Sequence, residues 1–213
     1  MGKIIRLGLV LFVITAVTGL ILGAVHTVTL EPIREAQAKE KTEALAATLP
    51  GAKDFKQVDI KGSAGIIKEI YEGSDGGKVI GYNFTVTPKG YGGPITLIVG
   101  VASDGKIKDI KILASNETPG LGAKADQPSF AGQFKDRAAQ ELTVTKTPPE
   151  NDSQIQAISG ATITSRAVTL GVDTAVSYWK KNFSGAPAEG GASDGCAPAE
   201  TPDATSSASQ KEE

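Results

Sequence analysis

Two short segments bring together hydroxyls, a carboxylate and glycines in patterns that could hold an anionic or planar ligand. Ser159-Gly160-Ala161-Thr162-Ile163-Thr164-Ser165 sets four hydroxyls around a glycine, directly before a helical pattern. A helix start presents free backbone N–H groups and partial positive charge, which suits a phosphate. Gly160 and Ala161 leave room for a ligand to approach the backbone, and Thr164 or Ser165 can cap the helix. The other segment, Glu117-Thr118-Pro119-Gly120-Leu121-Gly122, follows a strand pattern, and its Pro-Gly pair signals a type II turn. By spacing alone the two segments read as a Ser/Thr-rich turn with a cap and as a Pro-Gly turn. Neither contains a GxGxxG or P-loop pattern, so nicotinamide and nucleoside triphosphate binding have no support.

The remaining chemical inventory is sparse. The 213 residues include one Cys, Cys196, and one His, His26. That excludes an intramolecular disulfide, a structural zinc site of Cys and His ligands, and an iron–sulfur cluster held by this chain alone. A hydrolytic triad would depend on His26, which stands at the outer end of an apolar run and reads as an interfacial polar residue. The net charge is −2, from 22 Lys and Arg against 24 Asp and Glu, which gives no sign of a nucleic-acid binder. The balance is uneven along the chain. Glu189, Asp194, Glu200, Asp203, Glu212 and Glu213 against Lys211 make the C-terminal segment acidic, and residues 1–183 are slightly basic. Without a thiol pair, a metal cluster or a triad, redox work requires an organic cofactor.

The elements that must position these segments follow from patterning. Lys3 and Arg6 precede an uncharged run from Leu7 to Val25, close to the ~20 residues of a membrane-crossing helix. The positive flank places the N-terminus in the cytoplasm and the rest outside. Leu22 to Thr27 offers no clean small-x-small cleavage site, so the run reads as a retained anchor within residues 1–30. Residues 31–50 read as a helical stalk. Pro32 suits its first turn, Glu35 and Lys39 form a supporting pair, and Leu49-Pro50-Gly51 closes it. From 53 to 113 the pattern alternates with period two: Ile80, Tyr82, Phe84 and Val86, then Ile95, Leu97, Val99 and Val101. Turns at Ser74–Lys78 and Ser103–Lys106 make this an antiparallel meander with one packed face.

Two helices are predicted. Ser129 caps one over 129–142, with Phe130, Phe134, Ala138 and Leu142 in an apolar stripe. The other covers 165–183, with Val168, Val172, Ala175, Trp179 and Phe183 inward and Lys180 and Lys181 at its end. The fold class is α+β: a transmembrane helix, then a twisted antiparallel sheet packed against helices over residues 51–183. Residues 184–213 lack large apolar residues and read as a disordered acidic tail with Cys196 as a solvent thiol.

The strings ETPGLG (Glu117–Gly122) and SGATITSRAV (Ser159–Val168), with the Gly90–Ile95 loop, the hairpin turn before Ile107 and the anchor, resemble a known family. It is the FMN-binding domain of the G subunit of the Rnf electron transport complex, also similar to the C subunit of the sodium-translocating NADH:quinone reductase. The compact spacing favours the Rnf-type subunit. The resemblance implies FMN held covalently, its phosphate esterified to Thr162 by a flavin transferase that uses FAD as donor. Ser159, Gly160, Ala161, Thr164 and Ser165 would then surround the phosphate. Glu117, Thr118, Pro119, Gly120, Leu121 and Gly122 would approach the isoalloxazine or ribityl chain. It further implies an electron-transfer subunit in the cell (inner) membrane, coupling ferredoxin/NAD electron transfer to ion transport. Its partners would be the other subunits of the complex, and it would not be a complete enzyme alone. One departure stands out: Gln156 occupies a position, three before Ser159, where the motif commonly has Asp, and Asp152 lies four residues earlier. Two other readings are a flavin-binding sensor or scaffold that carries no electrons, and a cofactor-free stalk protein.

Overall fold

The computed structural model describes residues 2–60, 62 and 65–184. The expected acidic tail, apart from Ser184, lies outside the described residues, as does Cys196. One helix, α1, runs unbroken from Gly2 to Thr48. It is long and apolar enough to cross a membrane, with a window of mean hydropathy 2.5 that is 0% buried. Anchor and stalk are therefore one element. Pro32 lies inside the helix and not in a first turn, which corrects the expected boundary. A proline costs an internal helix about 3 kcal/mol, and the long runs of helix-compatible residues on both sides of Pro32 outweigh that.

The sheet follows α1 as a meander. Strands β1 (Asp54–Val58), β2 (Ile67–Asp75), β3 (Lys78–Val86), β4 (Ile95–Ala102), β5 (Lys106–Ser115) and β6 (Arg137–Ala138) are hydrogen-bonded in sequence order, each antiparallel to the next. Phe84 stands opposite both Ile70 and Val99, and Val99 opposite Ile110, so one face carries a continuous apolar row. The α+β class predicted from the alternation holds.

The sheet is not packed on one face only. From Gly81 to Val86, β3 is buried on both sides. The end of α1 covers the second face, where Ala44 and Leu45 pack on Ile98. Asn83 receives that end: its Nδ2 donates to the Leu45 carbonyl at 3.0 Å, and the Thr48 hydroxyl lies 3.0 Å from its Oδ1. Gly100 lets the helix backbone rest directly on β4, since a Cβ there would run into the Thr48 carbonyl.

The predicted helix over 129–142 is corrected. A one-turn helix, α2 (Pro128–Ala131), passes into a 3-10 turn (Gly132–Phe134), and the chain then joins the sheet edge as β6. Ser129 does not cap; Gln127 is the N-cap residue and Pro128 is the first helical residue. Phe130 and Phe134 pack edge to face with centroids 5.6 Å apart, which a single turn suffices to arrange. Lys135 is already extended and Asp136 follows with φ 55, so the helix does not continue, and Arg137-Ala138 satisfy hydrogen bonds that the β5 edge would otherwise leave open. A short parallel pair, β7 (Thr143–Thr145) and β8 (Gln154–Gln156), then leads to α3 (Thr162–Asn182). Val168, Val172, Ala175 and Trp179 are buried against the sheet as predicted, and Phe183 is half-buried, stacked on Tyr82 at 4.0 Å.

Candidate functional site

The start of α3 divides its hydroxyls into two kinds. The helix begins at Thr162, three residues earlier than predicted, and Ala161 at its N-cap makes no side-chain cap. Thr164 and Ser165 therefore cap nothing; they lie inside the first turn, 1% and 0% exposed. Ser165 Oγ donates to the Ala161 carbonyl and accepts from the Ile158 N–H, both at 3.0 Å, which staples the preceding loop to the helix. Thr164 Oγ1 donates to Glu117 Oε2 at 2.6 Å, across 47 residues of chain. Ser159 and Thr162 have hydroxyls that form no hydrogen bond with the described residues. Gly160 at φ 77 makes the turn that brings the loop into the helix.

Glu117 draws a third segment in. Its Oε1 accepts from the Gly92 N–H at 3.0 Å. A Cβ at Gly90 would strike Oε1, and one at Gly122 would strike Oε2 and lie 2.8 Å from Thr164 Oγ1. The Gly-rich loop after β3, the turn after β5 and the first turn of α3 thus close around one carboxylate.

Between these segments lies a cavity of about 820 Å³. Of the predicted residues, Glu117, Thr118, Leu121, Gly122, Ser159, Gly160, Ala161, Thr162 and Thr164 line it, whereas Pro119, Gly120 and Ser165 do not. Pro119 and Gly120 form the exposed apex of the turn, and Ser165 is consumed by its internal bonds.

Sequence reasoning missed Tyr91, Lys146, Ala157, Ile158 and Ile163 as lining residues, and it named Gln156 only as a departure. Tyr91 had a signal, an aromatic between glycines in a loop. Lys146 had none, because its place depends on the β7–β8 pairing. Gln133 holds the backbone of Gln156 from both sides, donating to its carbonyl at 3.2 Å and accepting from its N–H at 2.7 Å. Tyr91, Leu121 and Ile163 are large apolar side chains left exposed at this cavity.

The shifted titrating groups lie elsewhere. Burial, with the Glu72 carboxylate beside it, pushes the Tyr82 hydroxyl up to about 12. Burial pushes Asp173, on α3, up to about 6. At Lys41 burial pulls the ammonium down, but the Glu69 carboxylate and the Tyr71 hydroxyl outweigh it and raise it. No group of three or more His, Cys, Asp or Glu among the described residues could hold a metal ion.

The profile of the FMN-binding domain family matches residues 90–177, which span all three converging segments. The chain is 42% identical over 160 residues to the G subunit of the proton-translocating ferredoxin:NAD(+) oxidoreductase complex of Clostridium ljungdahlii, covering 75% of this chain and 83% of the relative. It is 40% identical over 191 residues to the G subunit of the Na(+)-translocating ferredoxin:NAD(+) oxidoreductase complex of Acetobacterium woodii, covering 83% and 92%. Among solved structures, the C subunit of the Na(+)-translocating NADH-quinone reductase of Parabacteroides distasonis superposes with a TM-score of 0.54, covering 69% of this chain and 94% of that one. At 20% identity that likeness is one of fold.

Proposed function

The chain belongs to the G-subunit family of ion-translocating oxidoreductase complexes, and from that premise we propose that it is the electron-transfer subunit that carries FMN, covalently attached at Thr162, in an Rnf-type membrane complex. The family match supports FMN as the cofactor, and the residues present fit it. A volume of about 820 Å³ falls within the range of small-molecule sites. Two hydroxyls without partners among the described residues and the N–H groups at the start of α3 suit the phosphate. Lys146 is the one basic side chain among the described residues lining the cavity and would offset the phosphate charge, while Tyr91, Leu121 and Ile163 suit the planar apolar ring.

The single observation that carries the Thr162 assignment is the division of hydroxyls. Thr164 and Ser165 are buried and spent, which leaves Ser159 and Thr162 lining the cavity with hydroxyls unpartnered among the described residues, and of these two it is Thr162 to which the resemblance of the SGAT string points. In the attachment step the Thr162 oxygen would bond to the FMN phosphorus of an FAD donor as the phosphoanhydride bond to adenylate breaks, with AMP leaving and the hydroxyl proton released, on a separate flavin transferase. Bound FMN supplies the electron transfer; the protein supplies position and electrostatics. The backbone N–H groups of α3 and Ser159 would hold the phosphate end, and the apolar rim would limit water at the ring. Lys3 and Arg6 before the apolar span support a cytoplasmic N-terminus with the folded domain outside. The other members of the complex would hold the remaining redox centres and the ion path.

Co-expression with a flavin transferase tests the assignment. Wild type gives a fluorescent band on a denaturing gel, Thr162→Ser keeps it, and Thr162→Ala abolishes it. A band surviving in Thr162→Ala would move the attachment elsewhere.

A further inference from the structure

Glu117 is 7% exposed in the cavity wall, and both of its carboxylate oxygens face uncharged donors, the Gly92 N–H and the Thr164 hydroxyl. No Lys or Arg forms an ion pair with it among the described residues. A buried charge without a counter-charge is costly. A neutral side chain of the same shape would brace the three segments as well: glutamine could accept from Gly92 through its oxygen and donate to Thr164 through its nitrogen. The brace alone therefore does not account for a carboxylate at this position. What a carboxylate adds to the same geometry is a fixed negative charge beside the cavity.

We propose that Glu117 is a positioning residue for the flavin site and that its unpaired charge lowers the tendency of the bound flavin to take up electrons. This rests on the FMN reading of the same cavity. As a brace, Glu117 ties the Gly90–Gly93 loop and the turn it begins to the helical turn that carries Thr162, two residues before Thr164. As a charge, it is itself shielded from solvent at the cavity wall, where Coulomb interactions are screened less than in bulk water. Adding electrons in front of a fixed negative charge is disfavoured, so the flavin potential sits lower than an uncharged brace would leave it.

The test uses the full chain, matured with a flavin transferase, and reads covalent flavin by gel fluorescence and the midpoint potential by redox titration of flavin absorbance. Glu117→Gln, which can keep both brace contacts, should still acquire covalent flavin and favour the reduced flavin about tenfold more, a rise of about 30 mV for a two-electron couple. Thr164→Val keeps the charge but removes one donor, so it should lower flavin content without raising the potential. A Glu117→Gln chain that matches the wild-type potential, or that no longer holds flavin, overturns the inference. So does a Thr164→Val chain that rises as far as Glu117→Gln. A wild-type chain that acquires no flavin under these conditions would instead overturn the FMN reading itself.

Discussion

At the scale of single residues, the site is decided by which polar atoms are already used. Four hydroxyls look equivalent in Ser159–Ser165, yet two are committed to the fold and two are open to a ligand. The glycines divide in the same way. Gly122 is required because a Cβ would meet the Glu117 carboxylate and lie 2.8 Å from Thr164 Oγ1, whereas Gly120, at φ 80, has nothing within 4 Å of that position. Gly122→Ala should therefore overpack the junction, costing about 1–3 kcal/mol, and should lower flavin content severalfold by parting Glu117 from Thr164. Gly120→Ala should carry only its backbone strain, of order 1–3 kcal/mol, and keep its flavin. Thermal melts compared with gel fluorescence separate the two. Equal loss of flavin in both variants would show that the turn itself, and not its contact with Glu117, matters.

At the scale of elements, Asp173 pins α3 to the chain leaving β6, accepting the Leu142 N–H at 3.0 Å. Burial raises its pKa to about 6, the Leu142 N–H opposes that, and Glu141 adds to it. The folded state therefore holds a proton that the unfolded state, with its carboxyl near 3.8, releases. This contribution favours folding at low pH and is progressively lost as pH rises from about 4 to about 6. Asp173→Asn can still accept from Leu142 without the charge, so the melting temperature of the variant relative to wild type should be higher at pH 7 than at pH 5. A difference independent of pH would refute the assignment. The elements also show what local pattern conveys. The meander and α3 were legible because alternation of period two and a stripe of period 3.6 each bury a face whatever the partner. The apolar stripe over 129–142 imitates a helix because Phe130 and Phe134, four apart, pack equally well from a single turn. The second covered face of the sheet was hidden because Asn83 and Thr85 look like solvent residues until the end of α1 arrives over them. Both site motifs were visible as segments. Their union through Glu117 and Thr164 was not, since it depends on how the turn after β5 meets a helix 47 residues later.

At the scale of the whole molecule, the anchor and the folded domain meet through a short, well-defined joint. Ala44, Leu45, Thr48 and Leu49 are buried, Lys41 pairs with Glu69 and sits 5.0 Å from the Tyr71 ring, and residues 31–40 are exposed throughout. Leu49 fills the space over Gly73 and Gly81, where a Cβ would collide with it. Movement of the domain relative to the membrane therefore has to come from bending along the exposed stretch of α1 and not from a hinge at Leu49-Pro50-Gly51. Two truncations test this division. A chain beginning at Glu35 loses the apolar span but keeps every α1 residue that the sheet buries, so it should be water-soluble, melt within a few degrees of the full chain and still accept flavin. A chain beginning at Pro50 uncovers Ile98, Asn83 and the Gly100 surface. Losing buried leucines at about 2–5 kcal/mol each, it should melt more than about 10 °C lower, given roughly 2–4 °C per kcal/mol for a domain of this size. If the two chains melted together, the end of α1 would be a passive tether. The flavin domain would then be free to swing on the loop, and the fixed spacing between membrane and cofactor that the joint implies would be lost.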